Sequence, residues 1–90
     1  MTMKCLIKRM FGEKEDFYAY LMMAQEEKDP AKKTAFLKLA EGEGDDYKTI
    51  YDMVFAEAAT TDREQGLHEY AKEAYEDMKE KIKEFHTEAK

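Results

Sequence analysis

The stretch LKLAEGEGDDYKTIYDMV, residues 37–54, carries at its centre EGEGDD, four carboxylates and two glycines set between apolar residues. Its reading decides the fold, because this segment is either a solvated loop between two helices or the middle of one long helix. Phe36, Leu39, Ala40, Glu43, Tyr47, Ile50 and Val54 step by three and four, so the apolar face keeps its phase across the acidic run. The eleven residues from Phe36 to Tyr47, and again from Leu39 to Ile50, make three helical turns. A break at Gly42 or Gly44 would leave the two halves no reason to stay in register. The pattern therefore predicts one helix over 31–58, with Glu43 on its apolar stripe. Two interior glycines cost roughly 1 kcal/mol each against alanine and ask for a packing reason, such as close approach of a neighbouring helix. A local break at one of them is the competing reading.

Working outward, KDPAKK holds the one proline, Pro30, with Asp29 placed to cap a helix and proline suited to its first position. This marks a tight turn between helices. Before it, Leu6, Met10, Glu13, Phe17, Tyr20 or Leu21, and Ala24 predict a helix over 3–28 whose apolar stripe also contains a glutamate. The basic N-terminal MTMKCLIKRMF reads as an extension of this helix rather than a secretory leader, since Lys8 and Arg9 interrupt its apolar run. After residue 58, Thr61 and Glu64 have capping-box spacing. Leu67, Tyr70, Ala71, Ala74, Met78, Ile82 and Phe85 predict a third amphipathic helix over 62–87. No strand alternation or internal repeat is present. The expectation is an all-α, three-helix chain forming one domain over 1–90, a long antiparallel hairpin plus a third helix.

The totals narrow the function classes. A net charge of −6 argues against a nucleic-acid footprint, which needs clustered lysine and arginine. No run approaches the 18 or so apolar residues of a membrane span. The single cysteine, Cys5, has no partner for a disulfide or a paired-thiol metal site, in keeping with a reducing cytoplasm. No nucleophile with its base and no phosphate-cradling glycine loop is evident, so hydrolase, kinase and redox-thiol readings have no support and no catalytic residues are assigned.

What remains is a set of acids on faces that should be dry. Glu13 and Glu43 lie 17 and 13 residues from Pro30, which puts them within about a turn of the same level in an antiparallel hairpin rising 1.5 Å per residue. Asp46 follows Glu43 by one turn. A carboxylate buried alone costs several kcal/mol, so a cation or a basic side chain must compensate. Oxygen-only ligands suit hard ions, and inward-facing carboxylates on neighbouring helices are how di-metal bundle sites are built. The plainer reading is that these acids reach water at the edge of the stripe or pair with Lys14, Lys38 or Lys48.

GEKEDFYAYLMMAQEEKDPAKKTAFLKLAEGEGDDYKTI, residues 12–50, resembles the first helix pair of rubrerythrin-like members of the ferritin-like superfamily. It is similar in particular to the short rubrerythrin-like proteins of bacterial phages and prophages. The resemblance rests on Glu13 followed by Tyr18 and Ala19, on the Asp29–Pro30 turn, on Phe36 with Leu39 and Ala40, and on Glu43. In that family a first-helix glutamate and a second-helix E-x-x-H supply half of a di-iron site. The resemblance thus implies Glu13 and Glu43 as ligands of iron or manganese, with Asp46 at the histidine's place. That departure puts iron oxidation chemistry in doubt.

Full members carry two such helix pairs, whereas this chain has one. Two chains packed antiparallel would bring Glu13, Glu43 and Asp46 from each to a two-fold axis. Alternatively, Glu64 and His68, four apart on the third helix, complete the site within the chain. Apolar residues on more than one face of LMM, residues 21–23, favour a homodimer or higher oligomer. Two functional expectations follow: a small ferritin-like metal binder, or a non-enzymatic helical structural or interaction module, phage-derived, that keeps the scaffold and has lost the metal.

Overall fold

A computed structural model describes residues 2–56 and 61–88. Three helices follow in order, α1 (Met3–Glu26), α2 (Pro30–Val54) and α3 (Asp62–Glu88), with no strand among the described residues. Each start has a local cause. The Thr2 hydroxyl accepts from the Cys5 N–H at 3.2 Å, the Asp29 carboxylate accepts from the Ala31 N–H at 2.9 Å with Pro30 opening the helix, and Thr61 Oγ1 accepts from the Glu64 N–H at 3.1 Å.

α1 ends at Glu26, two residues short of the expected bound, because Glu27 and Asp29 are extended. Proline disfavours the α region for the residue before it, so the chain leaves the helix ahead of Pro30. Glu27 Oε1 also accepts from the Asp29 N–H at 3.1 Å, which holds the turn. α2 ends at Val54, short of the expected 58; Phe55 and Ala56 are not helical, and residues 57 and 58 lie outside those described.

α2 passes unbroken through EGEGDD. The expected packing reason for its glycines is only half present. A methyl group on Gly44 would sit in ordinary contact with the Phe17 ring at 3.7 and 3.8 Å, while one on Gly42 would meet nothing within 4 Å. The helix persists because the apolar stripe on either side is held by α1, and tertiary burial outweighs two weak local preferences.

α1 and α2 form the tight hairpin, with Met10, Phe17, Leu21 and Ala24 of α1 buried against Leu37, Ala40 and Tyr47 of α2. Burial of each large side chain contributes about 1.5–3 kcal/mol. The α2 stripe is rotated from its expected setting: Leu37 is buried and Leu39 is 47% exposed. α3 packs on the side of α2 that carries Glu41, Tyr47 and Tyr51, and burial of α2 extends to that side. α3 runs antiparallel to α2, since Tyr51 meets His68, Tyr47 meets Ala71 and Tyr75, and Glu41 meets His86. It stands further from the hairpin than α1 and α2 stand from each other, and is joined to it largely through rings and long side chains. Tyr47 and Tyr75 stack at 6.2 Å, Lys14 Nζ donates to Tyr70 Oη at 2.9 Å, and Tyr18 Oη donates to Asp77. Tyr70, expected on the buried stripe of α3, is 53% exposed, because it reaches α1 only along its edge against Phe11 and Lys14. The Cα radius of gyration is 14.7 Å, against about 12 Å for a compact 90-residue domain. Among the described residues, no helix covers the other broad face of the hairpin.

Because Gly42 is exposed and a methyl there meets nothing, Gly42→Ala is expected to stabilise the chain by about 1 kcal/mol, raising Tm by roughly 4–8 °C in calorimetry. Tyr47 is fully buried and its hydroxyl donates to the Ala71 carbonyl at 2.6 Å. Burial, with smaller contributions from Tyr51 and Tyr70, pushes its phenol from 10.0 up to about 12. The folded state therefore keeps a proton that the unfolded chain gives up, so this stability is fully present below pH 10 and is lost as pH rises through about 12. Tyr47→Phe is expected to cost about 1 kcal/mol at neutral pH and to make the alkaline loss shallower in denaturant titrations from pH 8 to 12.

Candidate metal centre

The antiparallel hairpin brings Glu13 and Glu43 to one level, and a carboxylate oxygen from each lies with one from Asp16 inside a group spanning no more than 4.8 Å. Asp16 joins because it is one turn beyond Glu13 on α1. Glu13 is buried, 5% exposed, Glu43 is half-buried and Asp16 is exposed, so the group runs from the interior of the hairpin to its surface. Glu13 Oε1 forms an ion pair with Arg9 Nε, 3.0 Å away. Glu43 Oε2 is fully buried and has no hydrogen-bond partner among the described residues. A carboxylate oxygen taken out of water without a donor is costly, and here it stands beside two further carboxylates of the same sign.

The group lies on the side of the hairpin away from α3. Phe11, Lys14 and Tyr18 of α1 touch α3, whereas Arg9, Glu13 and Asp16 are centred on the other side of the helix at 100° per residue. On α2, Leu39 and Met53, 47% and 56% exposed, share that open side with Glu43.

The structure thus brings Glu13 and Glu43 together and puts Asp16, not Asp46, with them. Asp46 is exposed and outside the group. Both aspartates sit one turn beyond a glutamate, and the rotation of each helix about its axis selects between them. The pair Glu64 and His68 is elsewhere. His68 Nε2 lies 2.8 Å from Tyr51 Oη and its ring stacks on Phe55 at 4.5 Å, two turns of α2 or about 12 Å along the helix from Glu43. Lys14 and Lys48 turn to Tyr70 and Asp52, so neither neutralises the group, and Lys38 is exposed. Arg9 and Asp16 escaped sequence reasoning. Their signal was the spacing of four and three residues from Glu13 along one face of α1.

Three carboxylate oxygens within 4.8 Å of one another are close enough to share a hard divalent cation such as Mn²⁺, Mg²⁺, Ca²⁺ or Fe²⁺, and the buried donorless Oε2 belongs to one of these three carboxylates, that of Glu43. No imidazole belongs to the group. The rest of the sphere must come from water or from a second chain. No protein-family model matches this chain, nor does any curated protein or solved structure. No helix among the described residues is long and apolar enough to cross a membrane.

In metal-free protein, Glu43→Gln removes one of three crowded charges and supplies an N–H donor towards its neighbours. It is expected to raise stability by on the order of 1 kcal/mol at pH 7, as read in chelator-treated denaturant titrations.

Proposed function

We propose that the protein is a small helical cation binder of ferritin-like, rubrerythrin-like type, in which Glu13, Asp16 and Glu43 hold manganese or iron. The buried Oε2 of Glu43, which has no donor, carries this reading. The proposal extends to a second copy packed on the open face of the hairpin. Three carboxylates fill only part of an octahedral sphere, and an isologous pair would supply a matching set across the two-fold axis. The apolar residues Leu39 and Met53 on the same side support that packing. Catalysis is not part of the proposal, because an all-carboxylate set with aspartate at the family's histidine position lacks the imidazole of that family's di-iron half-site.

A second reading has its own support. Met22 and Met23, 58% and 45% exposed near the turn of the hairpin, are adaptable apolar side chains of the kind that line protein-binding surfaces. They fit an interaction module that keeps the scaffold without a metal.

The test is a thermal melt of chelator-treated protein with Mn²⁺ or Fe²⁺ added, under argon for iron, with mass followed by light scattering. A ligand at 100 times its Kd stabilises by about 2.7 kcal/mol, so Tm is expected to rise by on the order of 10 °C, with a dimer present. Glu43→Gln should lose that rise. Absence of any metal-dependent shift in the parent chain would favour the interaction module.

A further inference from the structure

Glu13 is the most buried acid of the group, yet its partner is largely exposed: the Arg9 side chain is 74% exposed and that of Glu13 6%. Arg9 precedes Glu13 by four residues, the less favourable of the two orders for an ion pair along a helix. An arginine also cannot give up its proton, so it places a permanent positive charge beside a group of three carboxylates.

We propose that Arg9 is the resident counter-cation of this site: its guanidinium occupies Glu13 Oε1 while no metal is bound, and it competes with an incoming divalent cation for that oxygen. This rests on the reading of Glu13, Asp16 and Glu43 as cation ligands. Arg9 keeps the buried carboxylate from standing uncompensated, and it sets a threshold that metal must exceed before it enters. Its exposure makes the exchange easy, because the side chain can turn into water when displaced and loses little packing. Glu43 Oε2, which Arg9 does not reach, remains as the unsatisfied oxygen that draws the ion in.

The deciding experiment is calorimetric titration of Mn²⁺ into the metal-free full-length chain and its Arg9→Gln and Arg9→Lys variants, with helicity checked by circular dichroism. Glutamine is a comparable helix former at an exposed site, so the variant is expected to fold. Removing a unit charge beside the ion should tighten Mn²⁺ binding in Arg9→Gln about tenfold, while Arg9→Lys should bind as the parent does. Arg9→Gln should also melt lower than the parent when no metal is present. Parent protein that binds Mn²⁺ with Arg9→Gln no tighter would overturn the role of Arg9 and leave the cation site standing. No binding by any of the three, with unchanged melts, would overturn both.

Discussion

The structure depends on the seam between α1 and α2, where an antiparallel pair of helices must close around two glutamates. Met10, Phe17, Leu21 and Ala24 on one side and Leu37, Ala40 and Tyr47 on the other supply the apolar burial. Glu13 and Glu43 interrupt that seam near its middle, at the level where the two helices are held from both ends. Hydrophobic contact on either side of the acids is what forces their carboxylates together, since the helices cannot separate locally without losing the burial of Phe17 and Tyr47. The crowding of Glu13, Asp16 and Glu43 is thus a consequence of closing the hairpin, and Arg9 relieves only part of it.

α3 acts on the hairpin asymmetrically. It covers one broad face through tyrosine rings, His68 on Phe55 and the Tyr47 bond to the Ala71 carbonyl, and leaves the carboxylate face open. Its burial of large side chains, Met78 and Phe85 among them, gives a chain of this size a second layer of core. The same placement keeps α3 out of the proposed cation site. A site on the uncovered face of a short hairpin must draw its remaining ligands from water or from another molecule, which links the proposed cation binding to the proposed pairing of two chains.

Much of this was legible beforehand, and the parts that were not share a cause. The unbroken apolar phase across EGEGDD marked one continuous α2, and the capping residues Asp29, Pro30 and Thr61 marked the starts of α2 and α3. The convergence of Glu13 and Glu43 followed from their distances to Pro30 and the rise of a helix. Leu39 and Tyr70 fit the helical period as well as buried positions do, yet both are exposed, because a period of 3.6 describes a stripe wider than the strip a neighbour covers. Asp16 and Asp46 were equivalent by spacing, and Arg9 was one basic residue among several near the N-terminus.

By itself, the sequence determined the number, order and approximate bounds of the helices, the antiparallel turn at Pro30 and the level at which two glutamates meet. Those properties depend on capping, backbone preference and rise per residue, all of which act within a few residues. Only the tertiary structure decided which third carboxylate joins them, which basic side chain answers them and which face of the hairpin stays open. Those outcomes depend on how far each helix is turned about its own axis, and that rotation is fixed by packing between residues far apart in the chain.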